Sequence, residues 1–388
     1  MSRKKVFLSV NSYLPGYRGG GPIQSVKNLV EALSDDFEFF IFTSNHDLGT
    51  NEIYDNIYTD KWNVYDDVNI FYSSDQNKYK NIWRILSEQN FSLLFLNSFF
   101  STDTVKILIL RKLLNINTPI VIMPRGELSQ GALGIKKIKK TLYIKVIKTF
   151  KILNNIFYLT TADDEFHQVK LLLNTDKILQ VSNIPNAKKE LTLNTKKEDL
   201  LSIVFLSRIT QKKNLDYALK SLNNISKYIE FDIYGTIEEE NYWRECKKII
   251  SNLPNNIRVN YRGELSNDKV ISTLSRYDLF YFPTKSENYG HVISEALQAS
   301  IPVLISDQTP WQDIVIQKYG WIYKLESPSS FSKQIEELID TDTLSHNTIK
   351  RDIFNSFDVE NRQLEKAREY KYILHRLCKN FVGGNNDQ

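Results

Sequence analysis

Two pairs of charged residues in this chain have the type and spacing to hold a charged, hydroxyl-bearing ligand. Glu287 and Glu295 stand eight positions apart, and Arg208 and Lys213 stand five apart. The acids lie within the stretch YFPTKSENYGHVISEAL, Tyr281–Leu297, which opens on the end of an apolar run, Leu279–Phe282. Pro283 ends that run as a strand, because it has no N–H for a ladder. A polar turn follows, and from about Gly290 the spacing predicts a helix. The first amides of a helix are unpaired and point outward, which makes a strand–turn–helix junction a place to bind an anion. Carboxylates beside an anion site need a different partner. Acids accept hydrogen bonds, so their natural partners are hydroxyls on either side of a phosphate, and that combination describes a nucleotide-sugar. The competing reading is a surface helix with two solvated acids. Arg208 and Lys213 follow the apolar run Ser202–Leu206. At the carboxyl end of a strand, a planar guanidinium fork and an ammonium point charge can embrace a diphosphate. The competing reading there is ordinary surface charge in a lysine-rich chain.

These side chains need strands and helices to place them. A length of 388 residues suits two domains, and 41% hydrophobic with 25% charged residues is the composition of a globular protein. Two cysteines far apart, Cys246 and Cys378, build neither a disulfide framework nor a cysteine metal site, which suits a reducing cytoplasm. The opening MSRKKVFLSVNSYLP reads as a first strand rather than a signal peptide, and no run is long and apolar enough to predict a transmembrane helix.

Apolar runs alternate with helical periods through both halves, the pattern of α/β domains with parallel sheets. Val6–Val10 is a strand, and the loop Asn11–Pro22 carries Gly16 and then Gly19, Gly20 and Gly21 before a helix through Leu33. Consecutive glycines there permit close backbone approach to a ligand. Phe37–Thr43, Leu93–Leu96, Ile120–Met123 and Ile156–Thr160 read as further strands, whereas residues 45–75 show no clear pattern. Ile120–Met123 runs into Pro124, Arg125, Gly126, Glu127, Leu128 and Ser129, which puts polar residues at the carboxyl edge of a sheet, where open α/β folds bind ligands. Val181–Asn186 closes the first half, and the polar run Ala187–Asp199 reads as a linker. Strands at Ser202–Leu206, Phe231–Tyr234, Ile257–Tyr261, Leu279–Phe282 and Pro302–Ile305 rebuild the pattern. Ser327 and Pro328 start a mostly helical end, in which Val359–Phe381 is one amphipathic helix with Leu364, Ala367, Leu374, Leu377 and Phe381 on one side. The tail from Val382 reads as disordered.

The most basic stretch is 133–155, where seven lysines from Lys136 to Lys151 interleave with Ile135, Ile138, Leu142, Val146 and Phe150. One face is apolar and its flanks are cationic. A helix lying on an anionic membrane and a helix packed on the sheet with a solvated basic side both fit. No nucleic-acid motif accompanies the charge, and a net charge of +4 does not call for one.

As a block, SENYGHVISEAL resembles the E-x7-E signature of the retaining family 4 (group 1) glycosyltransferases, which have the GT-B fold. The glycine loop after the first strand, the I-P-N segment Ile184–Asn186 and the Arg208–Lys213 pair occur in the order of that family. The resemblance implies two Rossmann-like domains facing a central cleft: an acceptor-side domain at 1–186, a nucleotide-sugar domain at 187–358, and a crossover helix and tail at 359–388. It implies that Gly20 and Gly21 approach the donor diphosphate and that Gly263 lies beside the base. Glu295 would hold the ribose, and Glu287, with Asn288, Tyr289 and Gly290 around it, the transferred sugar. Arg208 and Lys213 would neutralise the leaving diphosphate, with no metal required. Arg125, with Gly126 and Glu127, stands where many members carry histidine before the glycine, and Asn214 stands where glycine is frequent. Arg125 would contact phosphate or acceptor, or only pair with Glu127. His291 is a minor positioning candidate, while Asp307 and Trp311 read as structural.

The expectation is therefore a hexosyl- or N-acetylhexosaminyltransferase. It would move a sugar from a nucleotide donor to a glycan or polyprenyl-diphosphate-linked acceptor in surface polysaccharide synthesis. Its place would be the cytoplasm or the inner membrane face, through 133–155. The alternatives are a nucleotide-sugar epimerase of the same fold and a non-catalytic carbohydrate-binding protein. Loss of Arg208 or Lys213 should lower kcat/KM by about ten- to a few hundred-fold, with folding hardly changed.

Overall fold

The computed structural model describes residues 3–128, 137–149, 152, 153, 155–193 and 199–379. Ser129, Lys136, Phe150, Lys151, part of the linker, Phe381 and the tail lie outside the described residues. The chain forms two compact units, Met1–Ile184 with Gln363–Gln388, and Pro185–Arg362. The division thus falls two residues before the expected one, and the return to the first unit falls at Gln363 rather than at Val359.

In the first unit the apolar runs become β1 (Lys4–Ser9), β2 (Phe37–Ser44), β3 (Trp62–Tyr65), β4 (Val68–Ser73), β5 (Leu93–Asn97), β6 (Ile120–Met123), β7 (Ile156–Thr160) and β8 (Ile178–Gln180). They form one sheet in the order β3-β4-β2-β1-β5-β6-β7-β8. The pairs are parallel except at the edge, where β3 runs antiparallel to β4. Alternate side chains of a strand face opposite sides, so Val6 and Leu8 enter one core while Phe7 enters the other. Burial on both faces explains the continuous apolar runs that mark these strands. The edge pair occupies the stretch 45–75 that carried no clear sequence pattern. Trp62 fastens it by packing edge-on to Phe40 and Phe71, with ring centroids 5.3 Å away in each case.

The terminal helix, Val359–Lys379, ends in this unit. Tyr370, Ile373, Leu374, Leu377 and Cys378 join the core of Val6 and Leu8, while Val359 belongs to the core of the second unit. Leu364 does not share the buried side as expected: it is 54% exposed. The apolar side of the helix is therefore shorter than its sequence period suggests.

The second unit holds β9 (Leu200–Leu206), β10 (Tyr228–Tyr234), β11 (Ile257–Gly263), β12 (Leu279–Phe282), β13 (Val303–Ser306) and β14 (Gly320–Tyr323). Their order is β11-β10-β9-β12-β13-β14, with every pair parallel. From β9 the chain builds outward to β11, then returns to the other side of β9 with β12. Such a reversal leaves a crevice at the carboxyl ends of the two central strands.

Candidate functional site

That reversal falls between β9 and β12, which pair through Ile203↔Leu279 and Val204↔Phe280. Their following loops carry Arg208, Lys213 and Glu287, and the helix after the second loop carries Glu295, the four charged residues that the sequence singles out. After β9 come Arg208, one turn of 3-10 helix at Gln211–Lys213, and Asn214 in the left-handed region at φ 63°. Asparagine tolerates that conformation better than other residues with a Cβ, which is how it can stand where glycine is frequent. Its Nδ2 donates to the Pro283 carbonyl at 2.9 Å. The amide of Lys285 donates to the Lys212 carbonyl at 3.0 Å, and Thr284 Oγ1 to the same oxygen at 3.2 Å. The two loops are thus laced together by main-chain and short side-chain bonds. Lys213 and Glu287 meet in an ion pair there, with 12% and 11% of their side chains exposed. The Lys213 Nζ also lies 5.5 Å from the centre of the Phe282 ring.

Glu287 is held at its own backbone, whose amide donates to the Gln308 carbonyl at 3.0 Å. Gly290 caps the helix His291–Gln298 at φ 77° and ψ 59°, and a Cβ there would lie 3.0 Å from Ile293 Cδ1 and 3.3 Å from Trp311 Nε1. Conformation and space both ask for glycine. Trp311, read as structural from the sequence, donates its indole N–H to the Tyr289 carbonyl at 2.5 Å. It therefore fixes the turn that presents Glu287, Asn288 and Tyr289. The Tyr289 ring in turn lies 4.7 Å, centre to centre, from the His291 ring. Glu295 sits in the second turn of this helix, and burial pushes its carboxyl up to about 7.

Arg208 has a partner that sequence reasoning missed. Its Nη1 donates to Glu238 Oε2 at 2.7 Å, and the two side chains are 40% and 44% exposed. The neighbouring Glu239 accepts from the Gln211 amide at 3.1 Å. Both acids belong to the run Glu238–Glu240 just after β10, three consecutive carboxylates that were the available signal. Gly263 closes β11, the edge strand two places from β9, and its carbonyl accepts from the Gly235 amide at 2.8 Å.

The remaining candidates lie in the first unit. Gly20 caps the helix Gly21–Leu33 at φ 61° and ψ −130°, a region that only glycine enters freely. Asp47 anchors the loop before it, accepting from the amides of Tyr17 at 2.8 Å and Arg18 at 3.1 Å. Arg125 does not pair with Glu127. Its guanidinium donates to Asn97 Oδ1 at 2.6 and 3.1 Å, to Ser25 Oγ at 2.6 Å and to Asn183 Oδ1 at 3.0 Å. Burial pulls it below the ordinary arginine value. Glu127 instead accepts from Ser98 Oγ at 2.6 Å and from the amides of Phe99 at 2.7 Å and Phe100 at 3.0 Å, where it satisfies the loop that opens the helix Thr102–Leu113. Gly126 donates its amide to the buried Glu165 at 2.5 Å.

The basic stretch forms the helix Lys137–Thr149. Ile147 is buried, and Tyr143 and Ile144 pack against the same core. Leu142, expected on that apolar face, points the other way with 60% exposure, on the same side as the exposed Lys139 and Lys145. Lys148 donates to the Leu172 carbonyl at 2.5 Å, and Lys140 lies 4.9 Å from the centre of the Phe100 ring. Among the described residues no helix is long and apolar enough to cross a membrane, and no group of three or more His, Cys, Asp or Glu residues could hold a metal ion.

Residues 184–353 match the family described as glycosyl transferases group 1. Among curated proteins, the chain is 25% identical over 162 residues to the capsular polysaccharide biosynthesis glycosyltransferase CapM of Staphylococcus aureus, covering 39% of this chain and 41% of that protein. The chain spans less than half the length of the curated relatives it matches first, 47% and 41%. Among solved structures, sucrose-phosphate synthase from Thermosynechococcus elongatus superposes with a TM-score of 0.71 at 14% identity, over 96% of this chain and all of the other. HepE from Anabaena, in complex with UDP-glucose, gives 0.67 at 13% identity over 95% of this chain and 99% of the other. The likeness shows the fold to be GT-B.

Proposed function

From the premise of a GT-B chain whose residues 184–353 match the group 1 glycosyltransferases, we propose that this protein transfers a sugar, with retention, from a nucleoside-diphosphate donor to a glycan or lipid-linked glycan. The observation that carries the reading is the Lys213–Glu287 pair at the strand-order reversal, beside the start of the helix His291–Gln298. A cation for phosphate and an acid for sugar hydroxyls already touch there.

In this reading the diphosphate takes Lys213 and Arg208 as its counter-charges, and the first amides of the helix add partial positive charge. The bond from sugar C1 to the phosphate oxygen breaks, and the phosphate keeps the electron pair. The developing negative charge meets fixed positive groups, which is electrostatic stabilisation of the leaving group. Lys213, released from Glu287, is free to follow the phosphate. Glu287 then accepts hydrogen bonds from the transferred sugar, and Glu295 from the ribose. Arg125 serves the first unit as a strut, since its bonds go to Asn97, Ser25 and Asn183. Metal independence belongs to the proposal, because two cations and a helix start supply the charge. Surface polysaccharide is the proposed destination, supported by the match to CapM. A peripheral membrane seat is supported by the exposed Lys139, Leu142 and Lys145 on one side of their helix.

The test is a panel of UDP-, GDP-, ADP- and dTDP-sugars in EDTA, read by thermal shift and by release of nucleotide with and without added glycan acceptors. Acceptor-dependent release of one nucleotide supports the reading. A changed sugar-nucleotide without an acceptor would make the protein an epimerase, and glycan binding with no nucleotide effect would make it a carbohydrate-binding protein.

A further inference from the structure

The cation proposed for the diphosphate is already occupied, and by a residue that the main chain holds in place. β9 and β10 run parallel to their last residues, with Leu206 opposite Tyr234. The pairing continues past the strands: Ile209 bridges Ile237, its amide donates to the Thr236 carbonyl at 2.8 Å, and the Glu239 amide donates back to the Ile209 carbonyl at 3.3 Å. Glu238 is thereby fixed opposite Arg208, bonded at 2.7 Å. Glu239 meets Gln211, the first residue of the turn that ends in Lys213. The two cations proposed for the diphosphate, Arg208 and Lys213, are thus bonded to Glu238 and Glu287, and a third carboxylate, Glu239, binds the backbone of the turn.

We infer that Glu238 sets the affinity and the release of nucleotide at this site: it is a counterion that the diphosphate must displace from Arg208, and one that discriminates against the more highly charged product. The inference rests on the donor-site reading given above.

The discrimination follows from charge balance. In the donor each phosphate of the diphosphate carries one negative charge, because the terminal phosphate is esterified to the sugar. Transfer breaks the C1–O bond, leaves the electron pair on the phosphate oxygen and forms a bond from C1 to the acceptor oxygen. The acceptor proton passes to that phosphate or to water. The product's terminal phosphate is now held only through the anhydride bridge and has gained a second ionisable oxygen, which ionises at about 6. At neutral pH the product is therefore more negative than the donor by nearly one charge. A fixed carboxylate beside the site repels it more than it repels the donor. Both Arg208 and Glu238 are close to half exposed, so a ligand can reach the pair and the exchange is weakly opposed.

The experiment compares wild type with Glu238→Gln by calorimetry. The probes are UDP with UDP-glucose, GDP with GDP-mannose, ADP with ADP-glucose and dTDP with dTDP-glucose. For the pair that wild type binds, Glu238→Gln should tighten the free nucleoside diphosphate by about two- to five-fold and the nucleotide-sugar by less. Glu238→Ala should behave alike. Steady-state turnover should show a lower donor KM with stronger inhibition by the product nucleotide, a split that a mere folding defect does not produce. In an Arg208→Gln background the effect of Glu238→Gln should shrink, since there is no pair left to compete for. If wild type binds a pair and Glu238→Gln leaves it unchanged or weaker, Glu238 has no such role. Equal tightening of nucleotide and nucleotide-sugar overturns the part about release. Binding of no probe by wild type overturns the donor-site reading and the inference with it.

Discussion

Lys213 and Glu287 neutralise each other in a site where only 12% and 11% of their side chains meet solvent. Lys213→Ala should therefore do two things. It should lower kcat/KM by about ten- to a few hundred-fold, through loss of a charge-assisted contact to the diphosphate. It should also destabilise the second unit by about 3 kcal/mol, because it strands a largely buried carboxylate. The sequence alone suggested that folding would hardly change, and the depth of the pair replaces that expectation. Lys213→Met with Glu287→Gln should recover much of the lost melting temperature and none of the turnover. Calorimetry and donor kinetics on the three proteins check both halves.

Glu295 should give the protein a pH signature. Its carboxyl, ordinarily at 4.5, is pushed by burial up to about 7, so the folded state holds a proton that the unfolded state gives up. The stability this confers is fully present below 4.5 and is lost as pH rises through about 7. Glu295→Gln should flatten the melting temperature across that window. Donor binding should run the other way and strengthen as pH rises through about 7, because the ionised acid is the better acceptor for ribose hydroxyls. Melting and calorimetric titrations at stepped pH test both slopes, and an unchanged slope in Glu295→Gln would reassign the residue.

Trp311→Phe should keep the ring packing and lose the bond to the Tyr289 carbonyl. One neutral hydrogen bond contributes about 1 kcal/mol. With the turn around Glu287 loosened, the donor KM should rise by about three- to ten-fold, while kcat falls less. Kinetics with the cognate donor would show this, and a loss confined to kcat would contradict a positioning role for Trp311.

The exposed side of the helix Lys137–Thr149 should govern attachment to lipid. Neutralising Lys139 and Lys145 and changing Leu142→Gln should weaken sedimentation with vesicles of anionic phospholipid and leave nucleotide binding untouched. Vesicle binding that survives these changes would remove the membrane seat from the proposed function.

Local chemistry made much of the second unit legible. Pro283 ends β12 and Gly290 opens the next helix, so the positions of Glu287 and Glu295 follow from residues within a few places of them. The helix Leu215–Leu222 and the strands β6, β7 and β12 begin and end where their apolar patterns do. What the sequence hid was set by partners far along the chain. Glu238 meets Arg208 because two parallel strands share a register, and the run of three carboxylates marks the acid without naming its partner. Arg125 looked able to pair with Glu127, two places away, yet Asn97, Ser25 and Asn183 claim it. Strands β8 and β14 are too short, or too mixed in composition, to stand out from their surroundings.

The terminal helix imposes an order on the birth of this protein. Val6 and Leu8 are made first, but the core they enter also needs Tyr370, Leu374 and Leu377, made hundreds of residues later. All of Pro185–Arg362 is translated in between. On the ribosome the second unit can close its own core as soon as it emerges. The first unit must wait, with part of its apolar surface uncovered, until the final helix is released. The unit whose synthesis begins first is thus the unit completed last.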